Sequence, residues 1–307
     1  MGRGLIECVP NFSEGRDEAV VERIAAAMAS VAGVILLDRQ LDADHHRSVI
    51  TLAGAPEAVA EAAVRGVGRA VELIDLNRHR GVHPRIGAAD VVPFVPLEGA
   101  SLEDCAALAW RSGEEIWRRY RVPVYFYEAA ARRADRVNLE QIRRGQFERL
   151  RQEAPVNPER RPDLGGPGLH PTAGAVAVGA RKFLIAYNIN LATQEVEIAR
   201  RIARAIRSSS GGFPHVKAIG VKLESRGAAQ VSINLTDFER TPVEEVYQTV
   251  RREAERHGVA IADSEVVGLI PRRAFQQAPE FYRRCRNFQP DLVLEERLRA
   301  LQSKECL

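Results

Sequence analysis

Apolar residues recur at helical spacing over residues 17–31, where Val20, Val21, Ile24, Ala27, Met28 and Val31 make one stripe. They do so again over residues 56–73 through Val59, Ala63, Val67 and Ala70. Short apolar runs at residues 5–9, 34–38, 48–53 and 91–95 read as strands. Ser13 or Asp17 can cap the first helix and Gly33 can end it. The order is strand, helix, strand, strand, helix, strand. The same order returns later: a strand over 182–191, a helix over 194–207, strands over 216–224 and 230–235, a helix over 242–257 and a strand over 259–269.

A repeated order of this kind predicts an α+β fold, a tandem duplication of two ferredoxin-like (βαββαβ) subdomains. Between them an inserted region adds a helix over 102–119, a strand over 123–127 and a helix over 139–151. The expected domains are residues 1–178 and 179–307. Residues 152–175, QEAPVNPERRPDLGGPGLHPTAGA, are rich in Pro and Gly and lack periodicity. They read either as a linker or as a ligand-binding loop, in which Gly165, Gly166 and Gly168 admit close backbone approach and His170 and Thr172 offer polar contacts. No GK[ST] follows, so it is not a P-loop; Gly66-Val-Gly68 sits inside a helix and lacks the third glycine of a dinucleotide fingerprint.

With 45% hydrophobic and 28% charged residues, the 307-residue chain has the composition of a globular protein with a sizeable core. Its net charge of +3 does not point to nucleic acid, and arginine clusters such as Arg143, Arg144 and Arg149, or Arg160 and Arg161, read as solvated faces. Cys8, Cys105, Cys285 and Cys306 have no paired spacing, so reduced thiols and a cytoplasmic location are expected. Residues 1–6 lack a signal-peptide core, and the longest apolar stretch, residues 24–37, is too short to span a membrane.

Chemistry concentrates in residues 73–94, LIDLNRHRGVHPRIGAADVVPF. His79 and His83 are four apart, but Gly81 and Pro84 make a shaped loop more probable than a helical metal pair. An imidazole can give and take a proton near neutral pH, and the arginines around His83 would favour its neutral form and hold an anion beside it. The loop DRQLDADHHR gathers Asp38, Asp42, Asp44, His45 and His46; Arg47 stands where a calcium loop needs glycine, so no metal is expected and a role in hydrogen-bonding a functional histidine or a substrate is preferred. Asn11, Asn188 and Asn190 sit at matching strand-to-helix corners of the two repeats, as turn residues or as amides that grip a polar substrate.

Four blocks in order, ECVPNFSEGR, LIDLNRHRGVHPRIGAADVVPFVP, VPVYFYEAA and GARKFLIAYNINL, resemble the formiminotransferase domain family over about residues 5–271. The resemblance implies transfer of a formimino group from N-formimino-L-glutamate to N5 of tetrahydrofolate, a co-substrate, with no metal. It places the catalytic histidine on His83 and folate binding on Gly165, Gly166, Pro167, Gly168, Leu169, His170, Pro171, Thr172, Ala173 and Gly174. Substrate carboxylates and polar ends would then meet Asn11, Arg47, Arg85, Asn188 and Asn190. Where some members carry an acidic residue after the second strand this chain has Gln40, which leaves Asp38, Asp42 and Asp44 to orient His83. The resemblance also implies a homodimer and a separate cyclodeaminase acting downstream. The alternatives are formyl transfer between glutamate and tetrahydrofolate on the same site, and a folate-binding protein without chemistry.

Overall fold

The structure, a computed structural model, describes residues 4–305; the first three residues, Cys306 and Leu307 lie outside it. The described residues pack as two units, divided between Arg181 and Lys182.

In the first unit the elements are β1 (Ile6–Cys8), β2 (Asn11–Phe12), α1 (Glu18–Ala29), β3 (Val34–Asp42), β4 (Arg47–Gly54), α2 (Pro56–Leu73), β5 (Ala89–Pro96), α3 (Leu102–Tyr120), β6 (Val124–Glu128), α4 (Leu139–Arg143), α5 (Gln146–Glu153) and β7 (Val176–Ala180). Among the described residues they build a seven-stranded sheet. Both β1 and β2 lie between β4 and β5, with the break at Val9-Pro10, because proline cannot donate to the ladder. β3 pairs outside β4, and β7 and then β6 extend the other side in parallel.

The period-2 alternation of β4 and β5 separates two faces. Ile50, Leu52, Val92 and Phe94 join Ile24, Met28, Val59 and Val67 in the core under the helices, whereas Val91, with Tyr125, Tyr127, Ile142 and Ala177, belongs to a second cluster. Arg47 and Val49 alternate with the buried Ser48 and Ile50, so they share the second face. The glycine pair at 66 and 68 has a packing role: a Cβ would come 2.7 Å from the Met28 sulfur and 2.2 Å from the Tyr120 ring, so glycine lets α2 approach its neighbours closely.

Three expectations need correction. The helix expected over 139–151 breaks at Gly145, whose φ of +82° is left-handed, and becomes α4 and α5. The Pro- and Gly-rich stretch runs directly into β7, a buried strand hydrogen-bonded on both sides, which the sequence pattern did not disclose. The loop expected across residues 39–47 is mostly hairpin: Asp38 pairs with Thr51, Gln40 with Val49 and Asp42 with Arg47, leaving a turn at 43–46.

The second unit contains β8 (Ile185–Leu191), α6 (Val196–Ile206), β9 (Val216–Leu223), β10 (Ala228–Leu235), α7 (Val243–Arg256), β11 (Ile261–Val267), α8 (Arg272–Gln277), α9 (Pro279–Arg284) and α10 (Leu294–Glu305). Its described strands form an antiparallel sheet in the order β11-β8-β10-β9. Ile185, Tyr187, Ile189 and Leu191 face a core with Ile202, Val246 and Val250. The three closing helices were unanticipated from the sequence; α8 and α9 add Ala274, Phe281 and Tyr282 to that core, and Val293, just before α10, joins them.

Candidate active site

The loop between α2 and β5 carries His83, and its backbone is pinned by the segments around it. Leu76 N–H donates to Thr172 O (2.9 Å), Ala88 N–H to Ala173 O (2.9 Å) and Ala175 N–H to Ile86 O (3.0 Å). The Ser13 hydroxyl donates to Gly87 O (2.7 Å), and Ile86 N–H donates to Asp90 Oδ1 (2.7 Å). The two stretches singled out in the sequence, GVHPRIGA and LHPTAGA, are therefore neighbours. Their contact needs glycine: a Cβ on Gly87 would lie 2.0 Å from Ala175 O, and one on Gly174 2.1 Å from Ile86 O.

His83 is half-buried. Its Nδ1 faces Pro84 O at 2.8 Å and its Nε2 meets the Arg47 guanidinium. A carbonyl only accepts and a guanidinium only donates, which fixes the neutral imidazole with its proton on Nδ1 and its lone pair on Nε2. Burial, then the charges of Arg47, Arg143 and His45, hold its pKa well below 6.5. Both ring nitrogens thus have partners other than carboxylates. The expectation that Asp38, Asp42 or Asp44 orients His83 is corrected accordingly: Asp42 accepts from His45 N–H (2.8 Å) and faces His45 Nδ1 (2.8 Å), and the His45 ring lies 6.1 Å from that of His83.

Arg47, at the start of β4, lies in a cationic surrounding. Burial and the neighbouring charge of Arg143, opposed in part by Asp90, Asp42 and Tyr127, draw its pKa down to about 9. Arg143, expected on a solvated face, has a side chain only 14% exposed and pairs with the 3%-exposed side chain of Asp90. Arg160 is likewise buried, donating to the carbonyls of Gln141 (2.8 Å) and Arg144 (2.6 Å), where it ties off the end of α4.

Behind the loop stands a second set of rings and charges. His79 is buried and stacked on His46 at 4.1 Å between ring centroids. Its Nε2 donates to His46 O (2.8 Å), and its Nδ1 accepts from Arg85 Nε (3.0 Å). Burial lowers its pKa to about 4. Arg85, expected to meet substrate, is instead buried and forked onto Glu148 at 2.8 and 2.6 Å. These residues brace the loop.

Within Gly165–Gly174, His170 and Gly174 exchange backbone hydrogen bonds of 2.8 and 3.0 Å, and Leu169 packs on both cores of the unit. His170 Nδ1 accepts from Ala173 N–H (3.0 Å), and burial lowers its pKa. Residues 165–168 are the more open end, although a Cβ on Gly165 would strike Trp117 at 2.6 Å.

Asn11 lies inside the sheet, opposite Val49 and Val91; its Nδ2 donates to Val9 O (2.7 Å) and its Oδ1 is buried without a partner among the described residues. In the second unit, Asn188 and Asn190 also occupy mid-strand positions and not corners, because β8 is hydrogen-bonded along both edges. Asn188 donates to Glu265 (3.1 Å), Asn190 to Asp263 (2.6 Å), and buried Gln230 to Asn190 (2.9 Å). Among the described residues no group of three or more His, Cys, Asp or Glu side chains could hold a metal, and no helix is long and apolar enough to cross a membrane. The contacts of Arg143 and Glu148 escaped the sequence reading because each lies more than 50 positions from its partner.

Two family descriptions match the chain: "Formiminotransferase domain, N-terminal subdomain" over residues 5–181 and "Formiminotransferase domain" over residues 186–301. A protein of Streptococcus pyogenes serotype M1 named glutamate formimidoyltransferase is 43% identical over 284 residues, covering 92% of this chain and 95% of its own. One of the same name from Thermoplasma acidophilum is 43% identical over 302 residues, covering 98% and 99%. The Gallus gallus formimidoyltransferase-cyclodeaminase is 45% identical over 284 residues, 91% of this chain but 52% of the chicken protein. With both units matched and the relatives aligned nearly end to end, the chain belongs to the formiminotransferase domain family.

Proposed function

We infer that the chain is a glutamate formimidoyltransferase, moving the formimino group of N-formimino-L-glutamate to N5 of tetrahydrofolate and releasing glutamate. The observation that carries this is the family match over both units with relatives of that name; the neutral, oriented imidazole of His83 is in keeping with it. N5 attacks the amidine-like formimino carbon; N5 must lose a proton, and the departing glutamate nitrogen must gain one. Neutral His83 suits both steps. Its Nε2 lone pair, once substrate has drawn Arg47 away from it, takes the proton from the amine, and the imidazolium so formed returns it to the leaving nitrogen. The Nδ1–H goes on donating to Pro84 O throughout, which keeps the ring oriented.

Folate is assigned to Gly165–Gly174, a choice supported by its backbone pairing with residues 86–88. Arg47 and the orphaned Asn11 carbonyl are the candidates for the amino-acid substrate; Asn188 and Asn190 are left out because Glu265, Asp263 and Gln230 already engage them. Arg85 is left out because Glu148 and His79 already engage it. We read the fold as a duplicated ferredoxin-like unit, supported by the shared spatial order: second, third, first and fourth strand in each repeat. Unpaired Cys8, Cys105 and Cys285 suit a cytoplasmic setting. A cyclodeaminase, named alongside the transferase in the chicken relative, would take the product onward.

The test is turnover: N-formimino-L-glutamate and tetrahydrofolate should yield glutamate and the N5-formimino product. Reaction only with 5-formyltetrahydrofolate and glutamate would assign formyl transfer, and tetrahydrofolate binding without either reaction would leave a folate-binding protein.

A further inference from the structure

His83, Arg47 and Arg143 crowd into one half-buried place with too little negative charge. Three residues there can carry positive charge; one nearby carboxylate, Asp90, pairs with them and a second, Asp42, is engaged by His45. Asp90 gives Oδ2 to Arg143 and Oδ1 to Ile86 N–H, and Asp42 faces His45. Nε of Arg47 and Nε of Arg143 are each buried without a hydrogen-bond partner among the described residues. Burying like charges together costs free energy unless an anion compensates them, so such a site is built for a ligand that brings one.

We propose that Arg143, together with Arg47, forms the seat of the amino-acid substrate's α-carboxylate, and that Asp90 is the residue that positions Arg143. This rests on the formimidoyltransferase reading. The carboxylate is the α and not the γ because of His83: the α-carboxylate shares its carbon with the nitrogen that must be protonated, whereas the γ-carboxylate is three carbons from that nitrogen. Arg47 touches His83 Nε2. An anion held by Arg47 therefore lies beside the proton relay, where only a group next to the leaving nitrogen can be. A guanidinium pair also reads the planar carboxylate in a fixed orientation, which makes the site selective for α-amino acids as a class.

The test is binding, measured apart from turnover, with L-glutamate and with 4-aminobutyrate, which is glutamate without its α-carboxylate. The wild-type protein should bind glutamate on the order of 10²-fold more tightly than 4-aminobutyrate, and Arg143→Gln should remove most of that preference while tetrahydrofolate binding stays intact. In turnover, Arg143→Gln should raise KM for N-formimino-L-glutamate on the order of 10²-fold, with little further loss on N-formimino-4-aminobutyrate. Equal binding of the two ligands by the wild type would overturn the proposal without recourse to any variant, as would a folded Arg143→Gln that keeps the preference. If glutamate binds with the expected preference but no formimino transfer occurs, the fault lies with the assigned reaction and not with the carboxylate seat.

Discussion

Replacing Glu148 by glutamine removes one charge and almost no volume, which isolates what the carboxylate contributes behind the His83 loop. Glu148 accepts both arms of Arg85, whose side chain is 7% exposed, and Arg85 in turn holds His79. The hydrogen bond to Arg85 is the main cause that draws the Glu148 pKa from 4.5 to about 2. At 1.36 kcal/mol per pH unit that difference sets an upper bound of roughly 3 kcal/mol. The Glu148 side chain is 57% exposed, so solvent screens most of it; with bidentate geometry the contribution should sit near the top of the surface range, about 1 kcal/mol.

The sign follows from the direction of the shift. A carboxylate with a depressed folded pKa contributes fully above its unfolded pKa of 4.5, and the contribution is lost as pH falls toward 2. Glu148→Gln should therefore melt about 2–4 °C below the wild type at pH 7, a gap that stays constant down to pH 5 and closes below it. Turnover should also fall, because Arg85 braces the segment that presents His83. Melting curves between pH 3 and 8 check this. A gap that persists undiminished at pH 3 would show that shape and not charge is at stake, and no gap at pH 7 would show that Glu148 is an idle surface partner.

His83→Ala should lower kcat by about 10²–10⁴-fold with tetrahydrofolate binding little changed, and normal turnover would end its assignment as proton relay. The rate of the intact enzyme should fall on its acid side only below pH 6.5, where the depressed His83 takes up a proton; Arg47→Gln removes one cause of that depression and should move the acid limb upward, read from kcat against pH. His79 sits at about 4 in the folded chain against 6.5 free, so stability on the order of 3 kcal/mol should be lost as pH falls from 6.5 through 4, a loss that His79→Asn should flatten in denaturant titrations. Gly168→Ala meets open space and should leave melting within a few degrees while weakening folate binding; Gly174→Ala, at φ +69° with its Cβ on Ile86 O, should lose about 1–3 kcal/mol or more.

Local pattern disclosed what local forces decide. The stripes of α1 and α2 were readable because Val21, Ile24, Met28, Val59 and Val67 bury one helical face, and the repeated order emerged from them. β7 was not readable: a five-residue strand behind a Gly-rich loop is specified by parallel partners far away in sequence, and its own residues, Val176–Ala180, would serve many roles. Asn188 and Asn190 misled for a related reason. A polar residue at a strand end suggests a turn, yet here the amides continue the strand because Asp263, Glu265 and Gln230 on neighbouring strands satisfy them. The resemblance singled out His83, but the part played by His79, four positions away, came only from its burial, its stacking on His46 and its bond from Arg85.

The same electrostatics that keep His83 neutral would change when substrate arrives. Burial, and then the charges of Arg47 and Arg143, depress the imidazole's affinity for protons, which preserves the Nε2 lone pair but makes it a weak base. An anion seated on those guanidiniums offsets their charge and raises that affinity at the moment a proton must be accepted. Basicity would then depend on having the correct amino-acid substrate in place. On this account a substrate analogue without the α-carboxylate should lose kcat as well as binding, and its acid limb should lie at lower pH than that of N-formimino-L-glutamate. Identical limbs for the two substrates, measured on kcat at saturation, would separate carboxylate binding from proton transfer and leave Arg47 and Arg143 with binding alone.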